Sequence, residues 1–469
     1  MKKILYIIAI VCTAIPVFSQ VTTPLPVRDG PGVGLVSLTL SDCRRQALAH
    51  NESLQKADLA VRQSELDRQM AFASYLPKLD GSVTAIFRKD TRLLDDLELQ
   101  MRGTYLAGLN LTQPIFAGGK IVTANKLAKV GEEVAQLQRA KTEQQVIADA
   151  DRAYFTLVAV RQKVTMLEAL HRQMEGLWRQ VSTSVEANLA TRNDLLRIET
   201  KLSEIDYQLQ KARNGAEICR LSLCNVMGTD LTIAYQPTDT LLADGSVEYS
   251  ANGSAVANSS LFTLHSSLQE VDISDRPEVA LLAQSVRASE LQVRMQRANL
   301  LPTLGLSIGY SHYDNLKLRG QLTSPADGTI IPANYTISGN SPMALLSMSI
   351  PIWHWGADLK KVKRARLDVE STRLDQQQTT RLLTIEAQNA AQNLSDSQRM
   401  LQTAIVGQQQ ADENLRVMHL RYDESLATLT DLLDAQSQWQ QAHSNLIEAH
   451  TQLRINETEY LRTTGHLTP

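Results

Sequence analysis

An internal repeat limits what this chain can fold into. The segment VRQSELDRQMAFASYLPKL, which begins at Val61, recurs as VRASELQVRMQRANLLPTL from Val286, an offset of 225 residues. Farther on, QPIFAGGK recurs as IPIWHWGA and NLATRNDLL recurs as SLATLTDLL, both at an offset of 237. The chain is therefore predicted to be two tandem copies of one structural unit. The second copy carries about twelve extra residues in the turn-rich stretch LKLRGQLTSPADGTIIPANY, which predicts an enlarged loop.

The repeat defines the expected units of the chain. Residues 38–228 are predicted to form the first repeat, residues 276–469 the second, and residues 229–275 an equatorial linker between them. Residues 1–20 have the basic start, apolar stretch and small residue near the end that are typical of a signal peptide, so export is predicted. A lipid anchor on Cys12 is the disfavoured alternative, because Val11 before it is not small.

Each copy contains two stretches with the period-two alternation of strands. The predicted strands cover about 78–90 and 102–114 in the first copy, and about 303–318 and 337–351 in the second. One face of each is apolar and the other small or polar, which is typical of transmembrane barrel strands. No apolar run after the signal peptide approaches the roughly 20 residues of a membrane-spanning helix. Four strands cannot enclose a lumen, so other copies of the chain must complete the barrel.

Long helices follow the strands in each copy. Helical hairpins are predicted over 119–228 and 356–465, and the proline-free first arm of each would be about 100 Å long. The shorter returning arm, about Arg192–Val226, is expected to stack end to end on the helix Pro277–Leu300 of the next copy. Gln-rich helices also suit a solvated coiled-coil stalk, but the strand pairs favour a hollow tube. The predicted strand–helix junctions are Pro77, Pro114, Gly119, Pro302, Pro351 and Gly356.

Composition and motifs argue against several functions. A net charge of −3 is unlike that of a nucleic-acid-binding protein. The chain lacks a GxxxxGK[ST] loop and a cluster of catalytic residues, so neither an enzyme nor a cofactor is predicted. The methionines do not form a spaced ligand series, so no metal site is predicted. Cys43, Cys219 and Cys224 are expected to be buried rather than bridged, and His354 to be an interfacial residue at a strand end.

Taken together, these marks resemble the TolC-like outer-membrane efflux protein family. The doubled LPxL, the doubled PIxxxG and the segment RYDESLATLTDLLDAQ carry the resemblance, which runs from Leu38 to Tyr460. It implies an α+β membrane protein: a homotrimer with four strands per chain in a twelve-stranded barrel in outer-membrane lipid, continued by a long-helix periplasmic α-barrel. It also implies two partners, a periplasmic adaptor (membrane fusion) protein and an inner-membrane pump of the resistance-nodulation-division type.

The implied function is that of a passive conduit from periplasm to exterior in a tripartite efflux or secretion system, gated at its periplasmic helical tip. A type I protein-secretion exit duct is one alternative to a drug-efflux channel. A non-conducting, membrane-anchored coiled-coil stalk is another, since the strand pattern of a single segment is a weak signal.

The resemblance places the gate on particular residues. Asp431 and Asp434 match the family's paired aspartates, Tyr422 matches a tyrosine that helps to close the entrance, and Asp194 is the first-repeat counterpart of Asp431. Ala427 stands where the best-known members have an arginine, which puts a latch built on that arginine in doubt. The residues predicted to form the repeat tips and to dock the adaptor are Asn188, Leu189, Ala190, Thr191, Ser425, Leu426, Ala427 and Thr428.

The residues alone leave the role of Asp431 open. A threonine just before it, Thr428 or Thr430, would cap a helix, and an acidic residue in the first turn would complement the helix dipole. In the first copy, Arg192 and Arg197 are expected to neutralise Asp194. No basic residue stands at helical spacing from Asp434, so only the second copy is predicted to concentrate negative charge.

Overall fold

The computed structural model describes residues 36–88, 91–94, 97–100, 102–238, 271–323 and 329–468. The predicted signal peptide, Cys12 and most of the predicted linker lie outside these residues. Among the described helices, none is both long enough and apolar enough to cross a membrane.

Long helices dominate the described part of the chain. The helices are α1 (Leu40–His50), α2 (Glu52–Ala73), α3 (Lys120–Glu186), α4 (Arg192–Met227), α5 (Pro277–Ala298), α6 (Ala357–Asp423) and α7 (Leu429–Thr464). Both α3 and α6 contain 67 residues. At 1.5 Å per residue each is a rod of about 100 Å, the predicted length.

The strands are β1 (Val36–Leu38), β2 (Lys78–Phe87), β3 (Thr91–Leu94), β4 (Leu97–Gln100), β5 (Arg102–Ala117), β6 (Tyr235–Pro237), β7 (Thr303–Thr323) and β8 (Ile330–Ser349). The long strands form an antiparallel sheet in the order β2–β5–β7–β8. β4 continues the line of β5 along β7 and pairs with β3. An apolar row, formed by Leu79, Leu111, Ile308 and Ala344, crosses all four long strands. The expected alternation of faces is therefore present in the register of the sheet.

The enlarged loop predicted in the second copy is wrong. Most of that stretch extends β7 to Thr323 and begins β8 at Ile330, with the ladder continuing from Lys317 opposite Thr336 to Thr323 opposite Ile330. Leu316, Leu318 and Leu322 alternate with polar residues, and this period of two outweighs the turn formers. Pro332, in this segment, lacks a backbone N–H. It is tolerated because β8 is an edge strand that, among the described strands, pairs only with β7.

Two glycines show how the short helices stack. Gly228 ends α4 with a φ of +63°, and a Cβ there would lie 2.3 Å from the carbonyl oxygen of His50, the last residue of α1, and 3.2 Å from the amide nitrogen of Asn51, which caps α2. Gly465 ends α7 with a φ of +80°, and its Cβ would lie 2.7 Å from the carbonyl carbon of Asp275 at the start of α5. Each returning helix therefore meets the short helix of its own repeat, and the predicted stacking of α4 on α5 is wrong.

The helices consequently lie in four columns within the described chain. α3 packs against α2, α4, α5 and α7, while α6 packs against α5 and α7. The first column contains α2 and α4, the second α3, the third α5 and α7, and the fourth α6. The long strands connected to these columns follow the same order in the sheet, β2–β5–β7–β8.

The main core lies about halfway along the rod. It unites α1, α3 and the end of α4 around Cys43, Tyr154 and Met227. The parallel pair β1–β6 covers it, and the Arg161 guanidinium donates to the Tyr235 carbonyl at 2.8 Å. Cys43, Cys219 and Cys224 are free thiols; Cys43 and Cys224 are buried as expected, whereas Cys219 is only partly buried.

Candidate functional site at the helical tip

The long helix of each repeat, α3 or α6, ends in the same tight turn at the tip of the rod. Asn188 and Ser425, which are equivalent at the 237-residue offset, have left-handed φ values of 56° and 59°. The next amide closes each turn: Leu189 N–H donates to the Ser184 carbonyl at 2.8 Å, and Leu426 N–H donates to the Arg421 carbonyl at 2.7 Å. Amides that reach back past the last helical turn satisfy carbonyls that the helix end leaves free. The repeat is thus retained in the backbone of the tip.

Matching capping boxes begin the returning helices. The Thr428 hydroxyl donates to the Asp431 carboxylate at 2.7 Å and accepts from Asp431 N–H at 3.2 Å, while Thr428 N–H donates to the same carboxylate at 3.0 Å. Thr191 and Asp194 make the equivalent contacts at the start of α4. Of the two roles left open by the sequence, Asp431 therefore fills the helix-capping one. These donors hold the pKa of Asp431 below its usual value.

The sequence difference between the repeats lies one turn farther along. Asp434 is exposed, and within the described chain its carboxylate has no hydrogen-bond or ion-pair partner. The equivalent residue of the first repeat is Arg197, whose guanidinium donates to the Thr430 hydroxyl of the second repeat. The expected neutralisation of Asp194 is wrong, because neither Arg192 nor Arg197 pairs with it in the described residues. Arg197 is engaged across the repeat boundary instead.

Tyr422, at the tip of the second repeat, lies near the acidic residue Asp194 of the first. The Tyr422 side chain packs against a second hydrophobic core, nearer the tip, whose buried residues include Leu170, Ile198 and Leu432. Burial raises the pKa of the Tyr422 phenol, and the nearby negative charges of Asp194 and Asp423 raise it further. The structure therefore brings Tyr422 and Asp194, two of the predicted gate residues, into one neighbourhood of the tip.

The predicted docking residues form the outer surface of the two turns. Leu189 is 84% exposed and its equivalent Leu426 is 77% exposed, which is unusual for leucine. Ala190 and Ala427 are half-buried at the base of the turns. The tip thus presents two equivalent apolar side chains to its surroundings.

At the opposite end, the predicted junction residues have distinct roles. Gly119 and Gly356 cap α3 and α6 with φ values of 80° and 73°. Pro77 and Pro302 directly precede β2 and β7, and Pro351 follows β8. Pro114 is not at a junction: it lies inside β5, before a bulge that lets the strand continue past a residue with no N–H.

The aromatic residues near these junctions are exposed. Trp353 and Trp355 stack edge to face with centroids 6.0 Å apart, and Trp355 occupies the left-handed region at φ 51°. His354 between them contacts the carboxylate of Asp358 in the first turn of α6. Phe116, at the matching end of β5, is also exposed.

Two helical hairpins that continue from one shared sheet and end in matched turns have counterparts among known proteins. A model of the outer membrane efflux protein family matches residues 43–229 and 272–466, and so both repeats. The chain belongs to the outer membrane efflux protein family.

Relatives and solved structures agree with this membership. The outer membrane efflux protein BepC of Brucella suis biovar 1 (strain 1330) is 21% identical over 446 residues, covering 93% of this chain and 87% of BepC. The CusC structure superposes with a TM-score of 0.72 at 14% identity, covering 94% of this chain and 95% of that one. The Campylobacter jejuni CmeC outer membrane channel gives a TM-score of 0.70 at 19% identity, covering 91% and 85%. The chain shares the fold of these efflux channels.

Sequence reasoning missed two features of this family member. Arg197 was expected to pair with Asp194, whereas it bridges to Thr430. The 237-residue offset makes Arg197 the equivalent of Asp434. This equivalence is the sequence signal that could have directed attention to Arg197 as a residue of the tip. The second is the buried Asp151, which accepts hydrogen bonds from Arg44 and Thr458 far from the tip. Nothing in the local sequence of Asp151 indicates these partners.

Proposed function

We propose that this chain forms a homotrimeric, passive outer-membrane channel, with its sheet in outer-membrane lipid and its helices extending about 100 Å into the periplasm. The channel serves a tripartite efflux system and is gated at the helical tip. The observation that carries the proposal is that the sheet of a single chain is open at both sides, at β2 and at β8. Family membership supports the role in efflux.

The sheet is open on both sides. Among the described strands, β2 pairs only with β5, and β8 pairs only with β7. Open edges of this length leave backbone donors and acceptors unpaired, which lipid does not tolerate. Pairing β8 of one copy with β2 of the next closes the sheet after three copies, with twelve long strands.

The helical columns have matching edges below the sheet. On α2, at one edge, Leu59, Leu66 and Met70 recur at near-heptad spacing and are more than half exposed. On α6, at the other edge, the exposed apolar residues are Leu359, Leu367, Leu374, Leu382 and Ile385. An apolar stripe of this spacing is a helix-packing seam. Burial of these two stripes against each other supports the same closure as the sheet.

The gate is proposed to lie at the tip, with Asp434 as its main charge. Three copies bring six carboxylates, Asp431 and Asp434 from each, around the entrance, where like charges attract cations. One oxygen of Asp431 is engaged by its cap, whereas Asp434 is exposed and unpartnered among the described residues. Tyr422, which lies near Asp194 and Asp423, is proposed to complete the constriction together with Asp194. With Ala427 in the position of the expected arginine, the bridge from Arg197 to Thr430 is the contact proposed to hold the two tips together.

Docking of a periplasmic adaptor is proposed at the two turns. The exposed Leu189 and Leu426 give each protomer two equivalent contacts, and three protomers would present six around the entrance. An exposed apolar side chain on a rigid turn is a suitable anchor for a partner. The inner-membrane pump, expected to be of the resistance-nodulation-division type, would supply the energy that a passive channel lacks.

Reconstitution tests this function. The purified protein is expected to be a trimer by native mass spectrometry and to conduct ions as single channels in planar bilayers. Deletion of the gene should make cells hypersensitive to drugs. A trimer without conductance would indicate the non-conducting stalk. Conductance accompanied by loss of a secreted polypeptide, with drug sensitivity unchanged, would indicate a type I secretion duct.

A further inference from the structure

Positive charge is concentrated directly beneath the sheet. The last ten residues of α2 and α5 and the first ten of α3 and α6 contain eleven Lys or Arg and four Asp or Glu. This band is strongly basic in a chain whose net charge is −3. At 1.5 Å per residue it extends about 15 Å from the helix ends that meet the strands. We call these forty residues the basic band.

The cations of the second repeat in the basic band are mostly unpaired. Lys361 pairs with Asp358 at 2.9 Å. Among the described residues, no ion pair or side-chain hydrogen bond engages Lys360, Lys363, Arg364, Arg366, Arg294 or Arg297. Elsewhere on the rod, arginines such as Arg139, Arg416 and Arg462 have carboxylate partners 2.6–2.7 Å away. Local ion pairing therefore does not account for the charge of the band.

Three of these arginines share a groove between α5 and α6. The groove has a volume of about 510 Å³, and Arg294, Arg297 and Arg366 line it around the apolar residues Val293 and Val369. At its lower end, Arg373 is paired with Glu290 at 2.7 Å. Glu370 also lines the groove, one helical turn below Arg366. The upper end thus offers three guanidinium groups, which outnumber this carboxylate and bind phosphate oxygens well because of their planar arrangement of donors.

Exposed aromatic and aliphatic residues lie just above the basic band. Ile352, Trp353 and Trp355, between β8 and α6, are between 70% and 87% exposed. Tryptophan is enriched where the hydrocarbon core of a membrane meets its headgroups. An apolar sheet, then tryptophans, then unpaired basic residues is the order that a sheet in a bilayer would present to acyl chains, interface and headgroup phosphates.

We infer that the groove formed by Arg294, Arg297 and Arg366, within the basic band, binds the phosphate headgroup of an anionic phospholipid in the periplasmic leaflet of the outer membrane. The inference rests on the proposed function, because only a sheet in lipid brings the band to the headgroups. Bound anionic lipid neutralises the cluster of like charges and ties the junction of α5 and α6 to the membrane.

Native mass spectrometry of the detergent-solubilised protein tests the inference. The lipids are phosphatidylglycerol and phosphatidylethanolamine with identical acyl chains, titrated at low ionic strength. The wild-type protein is expected to bind phosphatidylglycerol about tenfold or more tightly than phosphatidylethanolamine, since clustered basic residues near a membrane attract anionic headgroups. The variant Arg294→Gln/Arg297→Gln/Arg366→Gln should lose most of this preference. Added salt should weaken it in the wild type.

A matched variant controls for loss of charge alone. Lys141, Arg152 and Lys211 are also exposed and have no ion pair among the described residues, but they lie well below the band. Lys141→Gln/Arg152→Gln/Lys211→Gln should keep the full preference for phosphatidylglycerol. Far-UV circular dichroism and single-channel conductance establish that both triple variants are folded.

Several outcomes would overturn the inference. These are equal binding of the two lipids by the wild type, an unchanged preference in the groove variant, and an equal loss in the control variant. Displacement of the lipid by inorganic phosphate at equal concentration would show that the groove recognises a free anion rather than a membrane. A protein that conducts without lipid preference contradicts this inference alone, whereas one that does not conduct contradicts the proposed function.

Discussion

Arg44 and Asp151 form a two-point ion pair midway along the rod: Nε donates to Oδ1 at 2.7 Å and Nη2 donates to Oδ2 at 2.6 Å. The Asp151 side chain is fully buried and also accepts a hydrogen bond from the Thr458 hydroxyl at 2.8 Å. These contacts join α1, α3 and α7. Asp151→Ala would leave the largely buried Arg44 without its partner, so we expect a loss of about 3 kcal/mol in the free energy of unfolding. The thermal midpoint in detergent measures it.

Asp58→Ala is the matched control, because Asp58 pairs with Arg139 at 2.6 Å while both side chains are at least 40% exposed. An exposed pair contributes about 0–1 kcal/mol, so its removal should hardly change the midpoint. Equal midpoints for the two variants would contradict the structural role of Asp151.

Cys43 should be chemically inert in the folded protein. Burial raises the pKa of its thiol to about 12, with the negative charge of Asp151 adding to the effect and the positive charge of Arg44 opposing it. Because the thiolate is the reactive form, iodoacetamide at pH 8 is expected to spare Cys43 until the protein unfolds. Peptide mapping after labelling measures the fraction of Cys43 that is alkylated, with denatured protein as the positive control. Rapid labelling of Cys43 under native conditions would contradict the packing of α1 on α3.

The cap of α7 should depend on the charge of Asp431. The Thr428 hydroxyl and amide stabilise the carboxylate and hold the pKa of Asp431 below its usual value in the folded state. The cap therefore stabilises α7 fully at pH values above about 3.9, the pKa of Asp431 in the unfolded chain. This stabilisation is lost as the pH falls through the lower pKa of Asp431 in the folded state. Hydrogen exchange in a peptide covering residues 426–433 should be faster in Asp431→Asn than in wild type at pH 7. The difference between the two proteins should shrink as the pH falls below about 3.9, and a difference that does not shrink would argue against the cap.

Substitutions at the α6 edge should block assembly. Leu367→Asp/Leu374→Asp places charges in a stripe that the proposed trimer buries, where each leucine contributes about 1.5–3 kcal/mol. Native mass spectrometry is expected to show monomers. Gln377→Asp, at an exposed position on the same helix, should remain trimeric. Trimers of the double variant as stable as wild type would contradict closure through this edge.

Much of the fold was predictable because its signals are local. Proline-free stretches predicted the starts and the length of about 100 Å of α3 and α6, and the constant offset predicted that Asn188 and Ser425 would occupy equivalent turns. Period-two alternation located the four long strands. The ends of β7 and β8 were missed because turn-forming residues were weighed above the same alternation.

The rest depended on contacts between distant residues. Gly228 packs against the backbone of His50 and not against the second repeat. No local sequence pattern predicts which backbone segment a glycine at a helix end will contact. Arg197 had two partners of suitable chemistry, Asp194 nearby in sequence and Thr430 far away, and the relative position of α4 and α7 decided between them. Capping by Asp431 was one of two roles that the sequence permitted; its spacing from Thr428 was sufficient for a cap, but the geometry of the turn was needed to establish it.

Single-channel recording of gate variants tests the proposed function most directly. Asp434→Ala removes charge without touching a cap, and Asp431→Ala/Asp434→Ala removes the whole acidic pair. We expect a larger conductance and a weaker block by a multivalent cation added from the helical side, by about tenfold in the double variant. Asp375→Ala, an exposed residue of α6 about 70 Å from the tip, should behave as wild type. Unchanged conductance and cation block in the double variant would contradict a gate at Asp431 and Asp434.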